Sequence, residues 1–367
     1  MAPCRVWFSN VIEFEGEKKG RDTVAMINTS SQSTADLNDP VLSYHAKRIT
    51  HVGRDAFFLA LAAWQRGLQV RFLCRFQGYS ERFAQRAVNP AVGELIGISD
   101  GNHEHFFWRT LGDKTPEDAV ELSSNKPAAI AILAKAGIPV PEAVQSDTTQ
   151  LAEGRGRDAR LRIGVINGCC VGAHMLSPPL GSGEGEFTTE QLVAAAGEHA
   201  LRACEVLGLP VADVDVAMDT VTSRLTVLDA NPMLSLKRHA YADKGNPGNR
   251  VAEAIIDYYF PATSAAPRHR RASFDFISVC KMLGTGAVAD LTLPVLAPHW
   301  RHHRITVAAA QLGEDNRTAI VRAVMGLGIH SQSLFKANGD LLLDVVTGED
   351  QLSKFLHTLK PLFAVAS

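Results

Sequence analysis

The strand-like segment Leu225-Thr226-Val227-Leu228-Asp229-Ala230-Asn231 sets an acid and an amide two residues apart. Alternation along a strand puts Asp229 and Asn231 on one face. A preceding segment, Val211 to Met218, carries Asp213 and Asp215 on the face opposite Val214, Val216 and Met218. Carboxylates on neighbouring strands, together with an amide oxygen, form an oxygen-only cluster. Such a cluster suits Mg²⁺ shared with nucleotide phosphates, because the hard ion prefers oxygen and leaves positions open to substrate. The same pattern describes a polar, solvated sheet face, and periodicity alone does not choose between the two.

Other chemistry-bearing residues give weaker signals. His103-x-His105 with Glu104 could hold a metal. Arg268-His269-Arg270-Arg271 and Arg301-His302-His303-Arg304 are basic, but neither is interleaved with stacking aromatics, so solvated linker charge explains them better than nucleic-acid binding. Ser43, Ser177 and Ser182 stand in no nucleophile-elbow pattern. Gly181-Ser182-Gly183-Glu184-Gly185 shares glycine content with a phosphate loop but lacks its Gly-Lys-Ser/Thr ending. The six cysteines show no C-x-x-C spacing, and Cys169-Cys170 point to opposite faces of a strand. They read as buried free thiols of a reducing compartment.

These residues need elements to position them. Arg54 to Arg66 has helical apolar spacing (Phe57, Phe58, Leu61, Trp64), ends at Gly67 and gives way to an alternating strand, Leu68 to Cys74. Leu95 to Thr110 reads as a polar connector rich in His and aromatics. A helix capped by Ser123 or Ser124 follows, with Ile130 and Leu133 inward, Gly137 as its stop, and Pro139 and Pro141 beyond. The pair Asn167-Gly168 between Leu161–Ile166 and Cys169–Ala173 predicts a hairpin with a type I′ turn. Thr188-x-x-Gln191 opens a helix by a capping box, and Gly208-Leu209-Pro210 closes it. The two acid-bearing strands come next, then a loop from Asn231 to Asn249, a helix from Val251 to Tyr259, and a linker-like Pro261 to Pro267. Beyond it, strand, helix, strand, strand and helix patterns between Arg304 and Leu359 predict a split α/β sandwich, with an added strand at Phe274 to Val279.

At 367 residues the chain is long enough for two or three lobes, and 46% hydrophobic with 21% charged residues is an ordinary globular balance. A net charge of -2 supplies no field that recruits nucleic acid or an anionic membrane. The start, Met1-Ala2-Pro3-Cys4-Arg5, lacks the apolar core of a secretory signal, and Ala56 to Trp64 is too short to span a bilayer. A cytoplasmic location is the expectation.

Val227-Leu228-Asp229-Ala230-Asn231-Pro232 resembles the metal strand of ATP-grasp enzymes. Asp113-Lys114-Thr115, Ala119-Val120-Glu121, Asn125-Lys126 and Ala136 to Glu142 resemble the entry to that region in cyanophycin synthetases and related poly-amino-acid ligases. Asp158-x-Arg160 before the Asn-Gly hairpin is similar to another of their elements. Leu236 to His239, Asn246 to Ala252 and Asp257 to Pro261 resemble the region's end. The similarity covers roughly Ser99 to Pro261 in collinear pieces.

The resemblance implies Asp215, Asp229 and Asn231 as Mg²⁺ ligands, Lys126 as a contact to the ATP phosphates, and Arg160 as the group that steadies an acyl-phosphate. It also implies amide formation between an amino-acid or peptide carboxylate and an amine. There are departures. Asp229 stands where Glu is common, one methylene shorter. Only Ala143 to Arg157, with no lysine, connects Glu142 to Asp158, where the family carries a phosphate-binding lysine and a Gly-rich flap. His174 stands where a basic residue often follows the hairpin. The nucleotide lobe has either been lost or is lacking from this sequence. The expectation is therefore an α/β (α+β) chain in three parts: residues 1–110 as an N-terminal substrate lobe, 111–261 as an ATP-grasp region with a shortened central lobe, and 268–367 as a C-terminal module that binds substrate or mediates homo-oligomer association. A non-catalytic relative kept as a binding or assembly scaffold is the rival.

Overall fold

The computed structural model describes residues 53–74, 91–141, 158–177, 189–219, 222, 224–242, 250–269, 272–307, 320, 323, 327, 330–335 and 340–363. Thr188 of the capping box, the glycine loop 181–185 and most of the first helix expected between Arg304 and Leu359, at residues 317–325, lie outside them.

The chain enters on helix α1 (Gly53–Gln65), which is apolar on every side and buried accordingly. Ala56, Phe57, Leu59, Ala60, Ala63 and Trp64 have no exposed surface. Gly67, at φ +82°, turns the chain into strand β1 (Gln69–Leu73). Strands β2 (Leu95–Ser99), β3 (Glu104–Trp108) and β4 (Leu111–Gly112) follow. The connector expected over 95–110 is thus two strands. Four of the five β2 residues are buried, and on β3 the polar Glu104 and His105 mask the period. Arg109, at φ 57°, makes the tight β3–β4 turn and is held by Asp55 at 2.6 Å.

Two helices come next, α2 (Glu117–Ser124) and α3 (Lys126–Lys135). The cap of the second is Asn125, whose side chain accepts from the Ala128 amide, rather than Ser123 or Ser124, which end the first helix. Pro127 in the first turn needs no amide partner there, so the break falls before it. Gly137, at φ +72°, stops α3 as its sequence position predicts.

A four-stranded antiparallel sheet holds the candidate site. Strands β5 (Asp158–Ile166) and β6 (Cys169–Ser177) form the hairpin, with Asn167 and Gly168 both at positive φ. Helix α4 (Thr189–Leu207) lies on one face, and strands β7 (Val211–Asp219) and β8 (Leu225–Asn231) complete the order β6-β5-β7-β8. Leu161, Ile163, Val165, Val214 and Val216 pack beneath α4 with Ala196, Ala200 and Ala203. The other face is polar and meets helices α5 (Leu236–Ala242) and α6 (Arg250–Tyr259). Helix α5 replaces part of the loop expected over 231–249.

Helix α7 (Phe276–Gly284) occupies the segment expected as an added strand. Asp275 caps it through the Ile277 and Ser278 amides, a local bond that wins over the β-branched and aromatic propensity of Phe276-Ile277-Ser278-Val279. Strand β9 (Asp290–Thr292) then pairs with β1, giving the order β4-β3-β2-β1-β9. Phe274 and Phe276 meet Phe57, Phe72 and Trp64 with ring centroids 5.4–5.8 Å apart. Residues 272–296 therefore share the first core with α1, although sequence grouped them with the C-terminal module.

The last sheet, in the order β10-β12-β11, comprises β10 (Arg301–Val307), β11 (His330–Phe335) and β12 (Leu341–Thr347), followed by helix α8 (Glu349–Phe363). Its fastening to the first core includes His330, whose ring meets Trp64 edge-on at 4.6 Å and whose Nε2 lies 2.5 Å from the Ser273 carbonyl oxygen. Burial pushes this imidazole down to about 4, against the pull of the Ser273 carbonyl, and His302 adds to the fall. The folded value lies below the ordinary 6.5, so the contribution of neutral His330 is complete above that pH and is lost as pH falls through about 4. From pH 7 to pH 5 this costs about 1–2 kcal/mol. Urea titrations at both pH values should show that increment in the wild type and not in His330→Gln; equal increments would refute the assignment.

The whole is a mixed α/β fold with antiparallel sheets. Among the described residues no helix is long and apolar enough to cross a membrane.

Candidate functional site

Strand register decides which polar side chains meet. Across the four-stranded sheet one row reads His174, Arg162, Asp215, Asp229, and the next reads Gly172, Gly164, Asp213, Asn231. A shift between Asp215 and Val216 absorbs one extra residue on β8, which keeps Asp229 and Asn231 on the face of Asp213 and Asp215. The shared face expected from alternation is present.

Asp229 and Asn231 open onto a cleft of about 990 Å³ between β8, the ends of α2 and α3, and β3–β4. Lys126 enters it from the first position of α3, and its Nζ stands 3.3 Å from Asp229 Oδ2. A lysine at a helix N-terminus adds its charge to the positive end of the helix dipole, an arrangement that favours anions. Trp108, Leu111, Val120 and Met233 give the cleft an apolar wall. Asn231 also accepts from the Met233 amide at 2.9 Å, which fixes the turn leaving the strand.

Asp215 stands next to Asp229 on the sheet but is held from the other side. Arg162 donates to both of its oxygens, Nε at 2.6 Å and Nη2 at 2.7 Å. Both carboxylate oxygens are thus engaged in a bidentate pair. Arg160 lies on the same face of β5 two residues earlier, opposite Ala217, and is not among the residues lining the cleft. Lys126, Asp229 and Asn231 are therefore brought together, Asp215 is adjacent but engaged, and Arg160 stands apart. Among the described residues no three His, Cys, Asp or Glu side chains are gathered as a metal ion would need. The three-donor set for Mg²⁺ does not fit the side chains as placed, because only Asp229 and Asn231 face the cleft.

Sequence reasoning gave Arg162, Gly164, Gly172 and His239 no role. His239, on α5, lies over the two glycines, where an added Cβ would come within 3.3 Å of its ring. Its Nε2 lies 2.7 Å from Asp213 Oδ1, and the Ser235 amide donates to Oδ2 of the same carboxylate at 2.8 Å. Burial raises the Asp213 carboxyl, but the hydrogen bond and charge of His239, the Ser235 amide and Arg162 hold it below the ordinary value. Beside this pair, His174 meets His239 edge-on at 4.8 Å. Burial first, and the His239 charge second, push His174 down to about 4, so it is neutral at physiological pH and supplies no cation there. The only sequence cue was the small residue at Gly164 and Gly172, facing each other across the hairpin.

The His103-Glu104-His105 segment serves the fold. His105 Nδ1 lies 2.9 Å from Asp113 Oδ1, and Glu104 accepts from Arg71 at 2.7 Å.

No family model matches the sequence, and no curated protein matches it. Among solved structures, the ATP-grasp ligase PsnB complexed with a minimal precursor aligns over 39% of this chain and 62% of its own, with 14% identity and a TM-score of 0.27. The D-alanine–D-alanine ligase of Bacillus anthracis complexed with ATP aligns over 41% and 69%, with 11% identity and a TM-score of 0.30. The L-amino acid ligase of Bacillus licheniformis aligns over 67% and 72%, with 11% identity and a TM-score of 0.29. This chain thus spans less than two-thirds of the PsnB ligase, and likeness of this degree carries no assignment of activity.

Proposed function

We propose that the chain works as an ATP-dependent carboxylate–amine ligase of ATP-grasp type, taking an amino-acid or peptide substrate in the cleft beside β8. One observation carries this reading. Lys126 opens α3, Asp229 and Asn231 share β8, and these three residues, which the sequence resemblance assigns to one nucleotide site, line one open cleft. ATP, when bound, would supply the phosphoryl group that activates a carboxylate for attack by an amine. Lys126, 59% exposed on its side chain, is free to turn from Asp229 towards phosphate oxygens. Asp229 and Asn231 are the oxygens that would meet a nucleotide-borne Mg²⁺. The apolar wall of Trp108, Leu111, Val120 and Met233 excludes water from one side of the cleft. Arg160, on β5 two residues before Arg162, is the group proposed to steady an acyl-phosphate.

The alternative is a non-catalytic scaffold of the same descent, and the engagement of Asp215 by Arg162 favours it. Titration of Mg-ATP with a panel of amino acids, followed by ADP release, separates the two. The ligase reading expects saturation in the millimolar range or below and amino-acid-dependent ADP; no nucleotide binding at millimolar levels leaves the scaffold. Lys126→Ala should weaken nucleotide binding by about tenfold or more, equivalent to roughly 1.4 kcal/mol. Binding of the carboxylate substrate should change little, and equal loss of both ligands would remove Lys126 from its phosphate role.

A further inference from the structure

The acid face of the four-stranded sheet already contains cations. Of three carboxylates, Asp215 and Asp229 are met by the cations Arg162 and Lys126, while Asp213 meets the His239 ring and lies 4.0 Å from Arg162. Arg162 stands centrally among them: bidentate on Asp215, 4.0 Å from Asp213, and close enough to Asp229 for that charge to act on it. Its position follows from the strand row that places Arg162 beside Asp215 and Asp215 beside Asp229.

We propose that Arg162 is the resident cation of this face, occupying the place where a divalent metal would bind, so that the protein has no standalone metal site at Asp213, Asp215 and Asp229. A guanidinium stays charged at every physiological pH and presents its donors in a fork that matches one carboxylate. A divalent ion needs several oxygens converging within bonding distance, and both Asp215 oxygens are turned to the fork instead. Binding a metal would require breaking two charge-assisted hydrogen bonds and placing two positive charges next to a third. The inference rests on reading this face as the phosphate end of the ligase cleft only for its functional meaning. A nucleotide arriving with its own metal still finds Asp229 and Asn231.

The test uses Mn²⁺ alone, without nucleotide, so its outcome is independent of whether the protein is a ligase. Free Mn²⁺ is followed by electron paramagnetic resonance during titration of the full chain. The wild type is expected to show no saturable binding up to about 1 mM, and Arg162→Met and Arg162→Gln, folded by circular dichroism, to bind at least about tenfold more tightly. Adding Asp215→Ala to either variant should abolish the gained site. Saturable Mn²⁺ binding by the wild type that Asp215→Ala removes would overturn the proposal, and so would a folded uncharged variant as blind to Mn²⁺ as the wild type. Should both variants fail to fold, Mn²⁺ added during refolding is expected to restore the native spectrum, and its failure to do so counts against the proposal.

Discussion

Replacing Asp213 by alanine is expected to lower the unfolding free energy by about 3–5 kcal/mol, the range for removing one partner of a buried ionic cluster. Asp213 is 2% exposed and meets three groups: Nε2 of His239 on α5, the Ser235 amide that begins that helix, and Arg162 on the neighbouring strand. Alanine leaves a buried imidazole and a backbone amide without acceptors, and it shifts the balance of charge around Arg162. The expected cost is therefore mainly that of the groups left behind. Asp213→Asn keeps the shape and one acceptor oxygen and should lose about half as much. The carboxyl also makes a pH prediction. Its folded pKa lies below the ordinary 3.8, so its contribution is complete above that value and fades as pH falls through the lower folded value. Urea unfolding at pH 7 measures the main effect. An Asp213→Ala protein within about 1 kcal/mol of wild type would show that α5 docks on the sheet without this carboxylate.

The acid face was legible in the sequence because strand alternation is local. Asp229 with Asn231, and Asp213 with Asp215, each need only a period of two, and Asn167-Gly168 needs only its own backbone preference. What surrounds that face depends on register between distant segments. Arg162 and Asp215 are 53 positions apart, His239 and Asp213 are 26 apart, and neither pairing leaves a local trace. Residues 272–296 misled for a different reason. The prolines at 261 and 267 look like a boundary, yet Arg268 pairs with Glu253 at 2.7 Å and the chain returns to the first core. A linker composition records a change of direction, which need not be a change of domain. Helix α7 shows the same limit on a smaller scale, since one capping aspartate outweighs four residues of strand propensity. The cleft itself was not legible, because its walls come from β3–β4, α2, α3 and β8 together.

The second large effect is expected at Gly112, on the short strand beside the cleft. A Cβ added there would meet the Tyr259 hydroxyl, come within 2.6 Å of that ring's Cζ, and lie 2.7 Å from Phe107 Cε1. None of these atoms belongs to a flexible end. Tyr259 is 3% exposed, stacks obliquely on Phe107 at 4.6 Å, and accepts the Lys114 amide at 3.2 Å. Overpacking a closed site of this kind costs about 1–3 kcal/mol, so Gly112→Ala should approach the upper end when measured by urea unfolding. The strain has a directional consequence. Relief by movement of β4 would shift Leu111 and Trp108, which line the apolar wall, so ligand binding in the cleft should weaken together with stability. Tyr259→Leu removes the colliding ring. On its own it should destabilise by cavity formation, but in the Gly112→Ala background its cost should fall by about 1 kcal/mol or more. Additive effects of the two substitutions would mean that the glycine is not needed to admit the tyrosine, and the coupling assigned here between β4 and α6 would be wrong.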